Sequence, residues 1–179
     1  MNKFIPICLQ LSVCLITIIP SFGQSESKKD KIIADSKTAK AEFLKADGQM
    51  QGIFTKSYGY VIFPNVGKGG LGVGGAAGNG VAYENNKMVG MAKLSQISIG
   101  FQAGGQAYRE VIFFESKKEM DRFKENRVEL SAQVSAVAAA SGASANAKYV
   151  EGVMVFTMQK GGLMYEASVG GQKFKFEKL

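Results

Sequence analysis

Residues 58–80 of this 179-residue chain read YGYVIFPNVGKGGLGVGGAAGNG. The stretch begins as an apolar, β-prone segment, and eight of the fourteen residues from Gly67 to Gly80 are glycine. Glycine at this density can cradle a phosphate, form a flexible linker or let two backbones pack closely. Which of these uses applies decides whether the chain is a nucleotide enzyme, two tethered pieces or a glycine-rich β protein.

The glycine run is typical of a β-strand and not of a phosphate loop. Gly67–Gly72 matches the G-x-G-x-x-G spacing, but a dinucleotide site needs a helix to begin there, and the residues that follow are poor helix formers. A linker is also disfavoured, because Leu71 and Val73 alternate with glycine where serine or charge would be expected. We therefore predict a strand with one bare face, against which a helix or another strand packs closely. Glycines with this structural role are expected at Gly69, Gly70, Gly72, Gly74, Gly75, Gly100, Gly104 and Gly105.

The sequence before this core has the pattern of a secretory signal peptide over residues 1–23. Lys3 precedes a mostly apolar stretch that ends at Ile19, and Ser21 and Gly23 are small residues at the −3 and −1 positions of a cleavage site. A retained anchor helix is the alternative, although the apolar stretch is short for a bilayer span. We expect export and a single domain over residues 24–179, which is long enough to bury one core.

The composition argues against an enzyme. The chain has no histidine, and both cysteines, Cys8 and Cys14, lie in the predicted signal peptide, which excludes Ser-His and Cys-His nucleophiles and ordinary zinc sites. Carboxylate chemistry at Glu84, Glu110 or Glu166 stays open, but these acids are isolated in strand-like segments, where a solvated face is the favoured interpretation. We therefore predict no catalysis, no cofactor and no metal.

An amphipathic helix is predicted over about residues 25–50, because apolar residues recur at three- and four-residue steps between lysines and acids. The net charge of +7 is compatible with anionic lipid or nucleic acid, and lipid is the partner that an exported protein would meet. Such a helix can lie on a membrane with its lysines at the lipid phosphates. The favoured alternative, given its nearly balanced charges, is a helix that docks Phe43 and Leu44 onto its own domain.

The β-rich core is predicted over about residues 57–177. Glu84–Lys87 is a good hairpin turn, and Ser116 begins a capping box for one short helix. Residues 128–138 are rich in alanine, but their strict alternation favours a strand over a helix. Further strands are expected at 57–63, 97–103, 108–114, 152–157, 163–168 and 172–176. The expected fold is α+β, with a largely antiparallel, glycine-rich sheet for which a barrel-like form is considered, an N-terminal amphipathic helix and one short internal helix.

Several motifs occur in an order that points to a known family. Phe63 and Pro64 precede the glycine run, and the VIFF strand follows an S-x-G-x-Q-x-G-x-Q pattern formed by Ser98, Gly100, Gln102, Gly104 and Gln106. LSAQVS at 130–135 and GLMYEASVGG at 162–171 complete the series. Over roughly residues 32–174 the chain resembles the SYLF domain family. It departs from the family pattern at Gln133, where an acid is usual, and in the small-residue loop near Ser141.

The resemblance implies binding and not catalysis. SYLF proteins are described as lipid-binding; eukaryotic members bind phosphoinositides through an amphipathic N-terminal helix and associate with actin, and bacterial relatives are exported single domains. It implies a phospholipid-binding protein of the periplasm or cell envelope, associated with the membrane surface. Headgroups would contact lysines, and acyl chains would contact apolar side chains of the first helix. The residues expected in these roles are Lys37, Lys40, Lys45 and Lys68 for headgroups, and Ile32, Ile33, Phe43 and Leu44 for acyl chains.

Two alternatives to this function stay open. A small outer-membrane β-barrel fits the signal peptide and the alternating strands, although no aromatic girdle is evident. A scaffold that binds another, unidentified envelope protein through its sheet edge is the second. No nucleic-acid partner is expected.

Overall fold

The structure is a computed structural model that describes residues 22–71, 73–99, 105–131, 133–160 and 169–179. Nearly all of the predicted signal peptide lies outside the described residues, as do Gly72, Gly100, Gly104, Glu166 and the strand predicted at 163–168.

In the described chain two helices precede the strands, and a third helix and a short 3-10 helix lie between strands. The helices are α1 (Phe22–Ala46), α2 (Met50–Lys56) and α3 (Lys117–Lys124), with a short 3-10 helix at Ala143–Asn146. The strands are β1 (Gly59–Leu71), β2 (Val73–Glu84), β3 (Lys87–Ile99), β4 (Gly105–Phe114), β5 (Ala136–Ala138), β6 (Val153–Gln159) and β7 (Gln172–Lys178). The strands form one sheet in the order β5-β6-β4-β1-β2-β3-β7. Every pair is antiparallel except β5 with β6, so the predicted α+β class with a largely antiparallel sheet is confirmed, and the described sheet is open.

The glycine run is a hairpin and not the single strand that its alternation suggested. It supplies the end of β1 and the start of β2, which pair from Gly70 with Gly74 down to Gly59 with Glu84. The predicted close approach is present at Gly80, where an added Cβ would lie 2.6 Å from Cδ1 of Phe63. The bare face therefore receives a phenylalanine from the neighbouring strand, and not the first helix.

The helix predicted over about residues 25–50 corresponds to α1, which ends at Ala46, and a second helix follows it. The chain turns at Asp47, whose carboxylate accepts hydrogen bonds from the backbone N–H groups of Gln49 at 3.0 Å and Ser144 at 2.9 Å. A side chain that bonds the backbone two residues ahead offers an alternative to continuing the helix. The chain then re-forms a helix, α2, which buries Met50 and Phe54.

The sheet separates two apolar layers. The outer face carries Tyr60, Ile62 and Phe113, and it packs against α1 and α2. The inner face carries alternate residues of the same strands, such as Val61 and Ile112, and it packs against α3.

The sheet curls strongly around its inner face. The rings of Phe63 on β1 and Phe174 on β7 lie 5.9 Å apart, although two strands separate β1 from β7. In a flat sheet the same strands would be about 14 Å apart, since neighbours are spaced by about 4.8 Å. The curvature therefore turns the inner face into a concave surface.

Residues 128–138 are mostly not a strand, contrary to the prediction. Their side chains do alternate, with Val128, Leu130, Val134 and Ala136 buried, but regular pairing is limited to β5. Leu130 pairs with the free edge of β7 through its N–H to Gln172 O at 3.0 Å and its carbonyl from Gly171 N at 2.7 Å. The segment then crosses the concave face to β6, so its alternation reflects burial under an open sheet.

Two local predictions are confirmed. The turn between β2 and β3 places Asn85 and Asn86 at φ 49° and 61°, the left-handed conformation that tight hairpins need. Ser116 caps α3, since its Oγ accepts from Lys118 N at 3.2 Å and donates to Glu119 at 2.5 Å.

Candidate functional site

The apolar residues predicted to contact lipid differ in their accessibility. Phe43 is fully buried against the outer face of the sheet, and Leu44 packs beside it. Ile32 and Ile33, about one turn before Ser36, the first fully buried residue of α1, are only half-buried. The second half of α1 therefore docks onto its own domain. Of the four apolar residues predicted to contact lipid, Ile32 and Ile33 are the two that remain accessible to another molecule.

The lysines predicted for headgroups lie in three different environments. Lys40 is half-buried, its Nζ donates to the Tyr60 hydroxyl at 2.8 Å, and the same Nζ lies 4.6 Å from the centre of the Phe54 ring. Burial lowers the pKa of Lys40. Lys37 and Lys45 are exposed on α1, whereas Lys68 lies on the inner face with only 8% of its surface exposed. These lysines therefore do not form one site.

The structure instead shows a groove beside the first half of α1, on the outer face of β2, β3 and β7. Its main part has a volume of about 520 Å³. Two smaller depressions, of about 170 and 180 Å³, border α1 on either side. The smaller of the two shares the lining residue Asn65 with the main part. The other shares Asn79 and Lys93 with it. We call these three adjoining depressions together the basic groove.

Positive charge dominates the basic groove. Its cationic residues come from α1, β3, β4, β7 and the residue after β6, and among the described residues that line it the acids are Asp35 and Glu177. The cations are Lys28, Lys29, Lys31, Lys93, Arg109, Lys160, Lys173 and Lys175.

Some of these cations are already paired. Lys31 lies 2.7 Å from Asp35, and Lys93 lies 2.7 Å from Glu177 and lowers the pKa of that carboxyl. Lys173 is 3.5 Å from Glu129 at the rim. Within the described residues, Lys28, Lys29, Arg109 and Lys175 have no carboxylate within 4 Å. The groove therefore keeps an excess of positive charge that an anionic ligand would neutralise.

Apolar side chains accompany this charge. Ile32 of α1 and Met91 of β3 line one of the smaller depressions. Ile97, further along β3 on the same outer face, is 81% exposed. Cations at a rim with apolar groups beneath fit an amphiphile that carries an anionic head.

Sequence reasoning missed the lysines of β3 and β7. Lys173 and Lys175 alternate with Phe174 and Phe176 in the last strand, a pattern that places both ammonium groups on one face. That signal was present in the sequence. What it did not show is that β7 lies next to β3, where Lys175 pairs in register with Lys93.

Glu110 corrects another expectation, because it does not lie on a solvated face. It is fully buried on the inner face, where its Oε2 accepts from Gln172 Nε2 at 3.0 Å. Burial raises its pKa to about 7, opposed by the hydrogen bond from Gln172 and by the charge of Lys68. Glu84 is half-buried in an ion pair with Lys124 at 2.7 Å.

The described helices are too short or too polar for any of them to cross a membrane.

Comparisons with known proteins identify the family. Residues 95–178 match the family model Ysc84, described as "Las17-binding protein actin regulator". The chain is also 32% identical over 128 residues to "Beta cell expansion factor A" of Aeromonas veronii, covering 70% of this chain and 48% of that protein. The chain thus spans about half the length of the curated relative it matches. The family supports a binding role of the lipid-binding or actin-regulator type, and the chain carries a domain of this Ysc84 (SYLF) family, matched over residues 95–178.

Proposed function

We propose that this protein is an exported, non-catalytic protein of the cell envelope that binds anionic phospholipid headgroups in its basic groove. The observation that carries the proposal is the groove itself: eight cationic residues against two acids, with apolar side chains beneath. A family-level binding role leaves the ligand open between lipid and protein. The combination of lysines with exposed apolar groups favours lipid.

The charge of the groove sets its expected strength. A lysine or arginine near an anionic membrane surface contributes about 1 kcal/mol, and this attraction falls off within a Debye length of about 8–10 Å at physiological salt. The groove cations that have no carboxylate within 4 Å should therefore promote binding at low salt, and this binding should weaken as salt is added.

The first half of α1 forms one wall of the groove and has no fully buried side chain from Glu26 to Asp35, whereas Ser36, Ala39 and Phe43 are fully buried. The wall can thus shift to admit a headgroup while the second half of the helix stays docked. Ile32 and Ile33 would then meet the first acyl carbons, as the family resemblance implies.

Vesicle flotation tests the groove against the helix lysines predicted from the sequence. We expect the triple variant K93Q/K173Q/K175Q to lose most binding to anionic vesicles, and the helix variant K37Q/K45Q to lose less. The triple variant K56Q/K87Q/K118Q removes the same charge outside the groove and is the matched control. Equal losses in both triple variants would reduce the effect to net charge and overturn the assignment to the groove.

The export part of the proposal rests on the sequence pattern of residues 1–23 and needs its own measurement. The mass of the protein isolated from its native cell fraction should correspond to a chain that begins at Gln24. A chain in the cytosolic fraction that retains residues 1–23 would contradict export without affecting lipid binding.

A further inference from the structure

A second cluster of polar side chains lies on the opposite, concave side of the sheet. We call it the inner polar cluster, and its members come from five strands: Lys68, Gln96, Tyr108, Glu110, Gln159 and Gln172. The strand register brings them together. Tyr108 pairs with Gln159, and Gln96 pairs with Gln172. Ala76 is the only residue between Lys68 and Gln96 across the sheet.

The curl of the sheet closes this cluster on itself. Gln172 on β7 reaches Glu110 on β4 with a hydrogen bond of 3.0 Å, although three strands lie between them in the sheet. Gln96 donates to the carbonyl of Gly170 at 2.9 Å, at the start of β7. The polar groups therefore converge on one small region of the interior.

Several oxygen atoms of the cluster are buried without a hydrogen-bond partner. Among the described residues these are Glu110 Oε1, Gln172 Oε1 and Gln159 Oε1, whereas the Tyr108 hydroxyl interacts with the Gln172 side chain. Folded proteins leave few buried polar atoms unpaired, because each one forfeits its bonds to water. Three acceptor oxygens in one cluster indicate a partner that these protein atoms do not supply.

The chemistry of the unpaired atoms specifies that partner. When Glu110 is ionised, its carboxylate oxygen and the two amide oxygens can only accept hydrogen bonds, so the missing group is a donor. A buried carboxylate is stabilised best by a donor that is also cationic, which points to an ammonium group.

Lys68 requires an anionic group on the same ligand. Its charge acts on Glu110, yet no carboxylate among the described residues lies within 4 Å of its ammonium group. An ammonium ligand alone would place two cations in one buried region. A ligand with an anionic group for Lys68 as well as an ammonium for Glu110 would pair both.

We propose that the inner polar cluster binds a zwitterionic group, with a primary ammonium at Glu110, Gln172 and Tyr108 and a phosphate or carboxylate at Lys68. An aminoethyl phosphate has this chemistry, either as the headgroup of a phospholipid or as a free phosphomonoester. The site is separate from the basic groove, since the sheet lies between them, and it does not rest on the proposed function.

Isothermal titration with short-chain phospholipids below their micelle concentration tests the site. Dihexanoyl phosphatidylethanolamine should bind at least tenfold more tightly than dihexanoyl phosphatidylcholine, because a quaternary ammonium has no N–H to donate. O-phosphoethanolamine distinguishes the two sources of the ligand: comparable binding identifies a free phosphomonoester, and much weaker binding identifies a lipid. Equal affinity for the two lipids, or no binding of phosphatidylethanolamine and phosphoethanolamine alike, would overturn the proposal.

Matched variants locate the binding. Glu110→Gln and Lys68→Met should each weaken phosphatidylethanolamine binding at least tenfold, whereas Glu115→Gln and Lys87→Met, both exposed, should not change it. Thermal melts would verify that the Glu110→Gln protein is folded. Unchanged affinity in a folded Glu110→Gln protein would exclude the cluster as the site.

The same variants separate this site from the basic groove. Glu110→Gln should leave flotation with anionic vesicles intact, and K93Q/K173Q/K175Q should leave the titration with phosphatidylethanolamine intact. Failure of one site then has no bearing on the other.

Discussion

Glu110 shows how one residue acquires its character from the fold. In sequence it is a single acid in a β-strand, which is normally solvated. Its burial arises because β7 curls back over β4 and brings Gln172 within 3.0 Å of the carboxyl. A local pattern contains no record of that curvature, so neither the burial of Glu110 nor its pairing with Gln172 could be predicted.

The raised pKa of Glu110 makes stability depend on pH. Its pKa is about 7 in the folded protein against 4.5 ordinarily, so folding favours the protonated form. The contribution of Glu110 to the free energy of unfolding is therefore largest below pH 4.5 and decreases as the pH rises from 4.5 to 7. Above pH 7 it is constant, after a total loss of roughly 3 kcal/mol. In urea unfolding from pH 4 to 8, the difference between the wild type and Glu110→Gln should follow this curve. A difference that does not vary with pH would contradict the burial of an ionisable Glu110.

Glycines of the hairpin differ sharply in what surrounds them. An added Cβ at Gly80 would lie 2.5 Å from the Ile62 carbonyl, whereas at Gly67 nothing lies within 4 Å. We expect Gly80→Ala to lower the free energy of unfolding by about 1–3 kcal/mol, because neither β1 nor Phe63 can give way cheaply. Gly67→Ala is the matched control, with a gain of about 0.4–1 kcal/mol expected from reduced freedom of the unfolded chain. Equal effects in thermal melts would mean that the close approach at Gly80 is absent.

At the scale of elements, sequence patterns predicted where helices and strands lie along the chain better than they predicted how these elements pair. The hairpin at Glu84–Lys87, the Ser116-capped helix and the strands from 57 to 63 and 108 to 114 follow from local chemistry, and the structure confirms them. The strand predicted for residues 128–138 was mostly wrong. Alternation indicates which side chains are buried, but not whether the backbone pairs with a neighbouring strand. The break of the first helix at Asp47 depends on Ser144, nearly a hundred residues away.

The two halves of α1 should respond differently to truncation. Phe43 is fully buried in the outer apolar layer, so Phe43→Ala should lower the free energy of unfolding by about 3–5 kcal/mol. Ile32 is half-buried, and Ile32→Ala should cost about 1 kcal/mol or less by the same argument. Urea titration measures both. A small effect of Phe43→Ala would show that α1 does not dock in solution, which would restore Phe43 as a candidate for lipid contact.

On the scale of the whole molecule, the domain offers two chemically distinct faces on one curved sheet. The glycine-rich hairpin, the order of motifs and the α+β class were readable from the sequence, because each is a local or sequential property. The basic groove was not, since it joins α1 to β3 and β7 from positions as distant as Lys28 and Lys175. Only the folded sheet brings their charges together.

The measurement that tests the account most directly is flotation of the protein with vesicles of graded anionic phospholipid content at low salt. Bound protein should rise with the anionic fraction, fall as salt is added, and be lost mainly in K93Q/K173Q/K175Q, with K56Q/K87Q/K118Q close to the wild type. Binding to neutral vesicles that equals binding to anionic ones would contradict recognition of headgroups by the basic groove.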